Sequence, residues 1–215
     1  MCTSISIVAD VADLTKQFQI DRLLAYQSNR YEVRPTESLS CITVNRNKER
    51  LLDECRWGLM PFWAKEAVCG DRRSIFTNEV FARIVQKQRC IIPCSGFYVS
   101  RTEGKETKWI YYKMRSGTFG IAGLYDVWRS PSGDEELRTC MMLMTEANSL
   151  VSPYHSSMPA ILSPEQADEW LKPENKDPYA LSDMLQPMDE LLMIARVLDS
   201  PQAKMDIVTD AGVLI

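Results

Sequence analysis

Cys2 stands directly behind the initiator Met1. Cysteine is small, so removal of Met1 meets no steric obstacle and would leave an N-terminal cysteine. That residue would carry two nucleophiles on adjacent carbons. An α-amine titrates near ~8 and a thiol near ~8.5, so both are partly reactive at neutral pH. An aldehyde would condense with the amine to a Schiff base, and the thiol would then close a five-membered thiazolidine. A Met-Cys start also fits an incidental second residue. His155, in SPYHSSMPAIL, is the only histidine, so any imidazole acid–base chemistry must use it. Pro153 and Pro159 bracket it in a polar loop just after a strong strand, where functional groups tend to sit. A surface or satisfied core histidine is the competing reading.

Two tryptophans, Trp57 and Trp63, flank a turn beside Arg56 and Lys65. Exposed, they would stack on nucleobases; buried, they are core. Arg72, Arg73, Lys87 and Arg89 cluster in sequence and suit either a phosphate groove or a solvated face. GxSxG, Walker, HExxH and helix-opening GxGxxG patterns are all missing, which argues against common hydrolase, kinase and dehydrogenase chemistries.

These residues need a scaffold. The 215 residues are long enough for one sizeable core, and 45% apolar with 25% charged is a globular composition. We read one domain over residues 1–215. The net charge of −4 excludes a generally basic nucleic-acid coat but not a local basic groove. Seven cysteines without a CxxC pair, and one histidine, argue against zinc. The start MCTSISIVAD lacks the basic, then apolar, pattern of a secretory signal. No apolar run approaches the ~20 residues of a membrane span. Both points, with the thiols, imply a reduced, cytoplasmic protein.

Apolar spacing predicts one or two helices over 9–27, with Asp13 as N-cap, and a strand at 41–45. FTNEVFARIVQKQ reads as a short helix. RCIIPCSGFYVS, TKWIYYKMRS, GTFGIAGLYDVWRS and LRTCMMLMTEA read as strands divided by Gly/Ser joints. SPEQADEWLK is a helix with Ser163 as N-cap and Pro164 at its first position. KPENKDPYA is a loop, and Pro187 splits the ambiguous DMLQPMDELLMIARVLD. The fold class is α+β, with one curved, mainly antiparallel sheet and short peripheral helices.

Several segments, in order, resemble the SOS response-associated peptidase (SRAP) family. They are Met1-Cys2, Arg34-Pro35-Thr36, WGLMPFWAKE (57–66), RCIIPCSGFYVS (89–100), FGIAGLYDVW (119–128) and MTEANSLVSPYHSSMPAIL (144–162). The resemblance implies autocatalytic loss of the initiator methionine and capture of the ring-opened abasic site in single-stranded DNA. The product would be a thiazolidine protein–DNA crosslink, formed with no cofactor or metal. The partner is single-stranded DNA with abasic sites; no membrane is involved, and a monomer is expected. Cys2 would be the nucleophile, Asn78 would position it, and His155 would act near the deoxyribose oxygen. Trp57 and its neighbours would face DNA, with Arg72, Arg73 and Arg89 of the sequence cluster as candidate DNA contacts beside them.

The chain departs from the family pattern at three places. Thr3-Ser4 replaces Gly-Arg, and Asn78-Glu79-Val80 replaces Asn-Ala-Arg. Val99 takes the place of the catalytic glutamate in Gly-Phe-Tyr-Glu-Trp, and valine cannot carry a proton. Glu79, Glu103 and Glu146 are the acids that could replace it. Three functions therefore stand side by side: a crosslinking protein, a pseudoenzyme that binds DNA or another partner non-covalently, and a thiol peptidase acting on other proteins.

Overall fold

A computed structural model describes residues 4–59, 67–104, 106–130, 132 and 134–198. In chain order the strands are β1 (Ser4–Ile7), β2 (Arg22–Leu23), β3 (Arg30–Val33), β4 (Ser38–Val44), β5 (Arg50–Trp57), β6 (Cys69–Asp71) and β7 (Arg89–Cys94). They continue with β8 (Gly96–Glu103), β9 (Glu106–Met114), β10 (Phe119–Arg129), β11 (Glu136–Glu146), β12 (Ser157–Pro159), β13 (Ile161–Leu162) and β14 (Met193–Leu198). The helices are α1 (Val11–Phe18), α2 (Arg72–Thr77), α3 (Glu79–Val85), α4 (Pro164–Leu171) and α5 (Pro178–Asp183). The α+β class and the mainly antiparallel β-core match the sequence reading. Two sheets form, however, rather than one.

The larger sheet curls shut. Its antiparallel path runs β11–β10–β7–β4–β5, and β11 then pairs with β5 in parallel, Thr139 opposite Arg56 and Cys140 opposite Trp57. Five strands thus make a barrel with no free edge between them. Residues alternate along each strand. Cys41, Cys55, Cys90, Ile92, Cys140 and Met142 belong to the inner cluster, while Ile42, Leu52, Ile91, Met141 and Leu143 belong to an outer one that the helices cover.

The second sheet has the order β14–β9–β8–β1–β3. Its strand β8 follows β7 after the single residue Ser95, whose N–H donates to Ser6 O at 2.8 Å. The RCIIPCSGFYVS segment therefore changes sheets at that point, which is why one apolar run feeds two layers. Phe97, Val99, Ile110 and Tyr112 pack with the inner barrel cluster. Tyr98 and Tyr111 pack together on the far face, ring centroids 4.8 Å apart and planes tilted by 39°.

Helix α4 starts where the sequence indicates. Ser163 and Gln166 form a reciprocal capping box with Pro164 at the first turn. Its Trp170 is fully buried, and the indole N–H donates to Cys90 O at 3.1 Å. Burial of such a ring contributes about 1.5–3 kcal/mol. Helix α1 is capped by Asp10, not Asp13: the Asp10 carboxylate accepts from Ala12 N at 2.7 Å. The helix ends at Gln19, which turns left-handed (φ 52°), and Arg22–Leu23 then pair with Leu51–Leu52 of β5. The FTNEVFARIVQKQ helix is broken at Asn78 into α2 and α3. The KPENKDPYA loop winds into α5, and the stretch split by Pro187 ends as β14.

Candidate active site

Strand β8 links the two segments that the sequence singles out as candidates for chemistry. Its Tyr98 pairs with Ser4 of β1, and its Arg101 guanidinium donates to Pro153 O, two residues before His155. Cys2 lies outside the described residues, two positions before Ser4. The Ser4 hydroxyl donates to the Glu32 carboxylate at 2.8 Å.

The His155 loop is a tight turn built on Asn148. The Asn148 side chain accepts from Val151 N at 3.1 Å and donates to Met188 O at 2.8 Å. His155 N–H closes the turn on Val151 O at 3.1 Å. The imidazole is half-buried. Ser157 N–H donates to its Nδ1 at 3.0 Å, and the Ser157 hydroxyl lies 3.2 Å from the same nitrogen. Nδ1 also lies 3.1 Å from Ser157 O, so three atoms of Ser157 hold this edge of the ring. Ser157 sits opposite Glu146 in the β11–β12 ladder. The sequence offered no signal for Ser157, because its role follows from the fold of the turn.

Asn78 caps α3. Its side-chain oxygen accepts from Val80 N at 3.0 Å and Phe81 N at 3.4 Å. The side chain is exposed. Arg73 is exposed and binds Glu146 at 2.6 Å. Arg72 is half-buried, donates to Gln186 at 2.9 Å and lies 3.8 Å from Glu146. These two arginines, Glu146 and Ser157 form one contiguous cluster on the β11 side. The Glu146 carboxyl is held below its ordinary range, first by its own backbone N–H, then by Thr145 and Arg73 against a small burial cost. It is a carboxylate at neutral pH.

Two expected DNA contacts are corrected. Trp57 is fully buried, and its indole N–H donates to Val68 O at 2.8 Å; no face of the ring is open to a base. Arg89 is 6% exposed, and its guanidinium donates to Trp170 O, Val85 O and Lys172 O at 2.5–2.6 Å. It also lies over the Trp170 ring, 5.7 Å from the centroid. That arginine ties α4 and α3 to the barrel, with each of its three nitrogens engaged by a carbonyl. Trp63 lies outside the described residues.

Residues 1–200 match the family model for SRAP, SOS response associated peptidase. The chain belongs to the SRAP family. This SRAP chain is 33% identical over 217 residues to the Abasic site processing protein YoqW of Bacillus subtilis, covering 94% of this chain and 96% of that protein. It is 28% identical over 155 residues to the Abasic site processing protein HMCES of Gallus gallus, covering 58% of this chain and 46% of that one. A crystal structure of a protein from Bacteroides thetaiotaomicron superposes with a TM-score of 0.81 at 25% identity, covering 93% of both chains. In this SRAP chain, Val99 is 1% exposed and packs in the core with Phe97. Among the described residues, no helix is long and apolar enough to cross a membrane.

Proposed function

We propose that this chain captures abasic sites in single-stranded DNA through Cys2, once Met1 has been removed. The observation that carries the reading is the convergence on β8: the strand leading out of Cys2 and the loop holding His155 meet the same short stretch, Tyr98 to Arg101. The relatives named for abasic-site processing support it. The α-amine condenses with the aldehyde of the opened deoxyribose and releases water. The Cys2 thiolate then adds to the imine carbon, and the nitrogen takes up a proton. His155 suits proton transfer at the sugar oxygen as the ring opens. Val99 contributes no proton, so Met1 removal by the chain itself is slow and an aminopeptidase does it faster.

The test is intact mass before and after incubation with an abasic single-stranded oligonucleotide. A chain lacking Met1 that gains the oligonucleotide mass is the expected result. A chain lacking Met1 that gains nothing would overturn the covalent reading and leave the non-covalent one, which Val99 favours.

The Arg72–Arg73–Glu146 cluster sets the electrostatics of the neighbouring surface. A phosphate and the Glu146 carboxylate compete for the same guanidinium groups. Glu146→Gln is expected to tighten single-stranded DNA binding several-fold at low salt. Its log–log salt dependence should steepen by about 0.7 for each arginine released to a phosphate. Salt titrations of both proteins by fluorescence anisotropy check this; unchanged slopes would place the DNA elsewhere.

A further inference from the structure

Two residues of chain reach at most about 7 Å, so the groups around Ser4 are neighbours of the proposed reaction at Cys2. In the β1–β3 ladder Ile5 stands opposite Val33. Ser4 and Arg34 are therefore the next residues outward on the two strands, and Glu32 joins them. The buried Ser4 hydroxyl donates to Glu32 Oε1 at 2.8 Å, and Arg34 Nη2 donates to Glu32 Oε2 at 3.0 Å. One carboxylate thus ties the start of β1 to an arginine side chain that is 62% exposed.

The backbone beneath that arginine is fixed. Arg34 N–H donates to Glu37 Oε2 at 2.7 Å, and the same carboxylate lies 3.6 Å from Arg30. Thr36 N–H donates to Trp57 O at 2.7 Å, which pins the Arg34–Pro35–Thr36 turn to the barrel. Among the described residues the Arg34 guanidinium is hydrogen-bonded to Glu32 alone, so Nε and Nη1 keep donors for a further acceptor. The net charge of −4 gives no general attraction for DNA, and a strand must be held by local cations. We propose that Arg34 is a phosphate contact of the bound strand, taking the phosphate that flanks the abasic sugar at Cys2. The assignment rests on the proposed function. A guanidinium can meet a carboxylate along one edge and a phosphate along another. Glu32, held by Ser4, keeps the fork in place beside β1, and its negative charge tempers the attraction.

Fluorescence anisotropy with an undamaged single-stranded oligonucleotide, over a series of salt concentrations, reads the contact without the covalent step. Arg34→Ala should weaken binding several-fold at low salt and make the log–log slope shallower by about 0.7. Arg34→Lys keeps the charge and should keep most of the slope. Glu32→Gln should tighten binding. Damage to the β1–β3 edge would weaken Arg34→Ala and Glu32→Gln alike, so opposite signs mark a phosphate contact. An unchanged slope in Arg34→Ala would overturn the assignment, and so would weaker binding in Glu32→Gln. Adduct formation by the parent chain on an abasic strand is scored separately. Slopes as expected with no adduct would sink the covalent reading and leave Arg34 as a phosphate contact. An adduct in the parent with an unchanged slope in Arg34→Ala would do the reverse. A parent chain that binds no single-stranded DNA at any salt would overturn both.

Discussion

Cys2→Ala is expected to reduce covalent capture of an abasic oligonucleotide to background, while His155→Ala slows it. Alanine keeps the N-terminal α-amine but has no thiol, so it forms at most a Schiff base, which water reverses. The five-membered ring requires sulfur on the carbon next to the amine-bearing one. Loss is therefore complete at the level of a stable, heat-resistant adduct. His155 supplies proton transfer rather than a bonding atom, and its removal should cost about 10²–10⁴-fold in rate. Denaturing gels after timed incubation read both effects. A stable adduct in Cys2→Ala would remove Cys2 from the chemistry. Equal rates for the parent and His155→Ala would make His155 a loop residue only.

The second large effect falls on the scaffold. Gly96→Ala is expected to cost about 3 kcal/mol or more. A Cβ at Gly96 would lie 2.2 Å from both Cζ and Oη of Tyr111. The ring has nowhere to go: it is 1% exposed, its hydroxyl lies 2.9 Å from Ser6 Oγ, and Tyr98 packs against it. Yielding would pull apart β1, β8 and β9 together, the strands that lead from Cys2. For a chain of this size each kcal/mol shifts Tm by about 2–4 °C, so a fall of about 6–12 °C is expected in a thermal melt. A melt within 2 °C of the parent would show that the tyrosine has a second place to sit.

The sequence was most readable where contacts are local. Ser163, Pro164 and Gln166 announce α4 because the cap and its partners lie within one turn. Family membership was readable because whole segments recur in order. Asp13 read as the cap of α1, yet Asp10 takes that place, with extended backbone and its carboxylate on Ala12 N. The helical pattern over 9–27 stops short at Arg22–Leu23, which pair with Leu51 and Leu52 instead, a tertiary override of weak propensity. Trp57 and Arg89 were misread for a related reason. What buries Trp57 is its register against Cys140, and what occupies Arg89 is a set of carbonyls that includes those of Trp170 and Lys172. Neither neighbour is near in sequence. The link from Ser4 through Glu32 to Arg34 was equally hidden, since Ser4 and Glu32 lie 28 residues apart and meet only when β1 pairs with β3.

The pairing of β1 has a consequence in time. Its partner β8 lies some ninety residues downstream, with Ser4 opposite Tyr98. A ribosome adding about 5–20 residues per second needs about 5–20 s to make that length. Until then β1 has only the short β3 to pair with, and an isolated two-stranded ribbon is marginal in water. The start of the nascent chain is therefore open to a ribosome-associated aminopeptidase before the sheet is complete. Under the proposed function, Cys2 would then be freed while the chain is being synthesised, without the chain having to process itself.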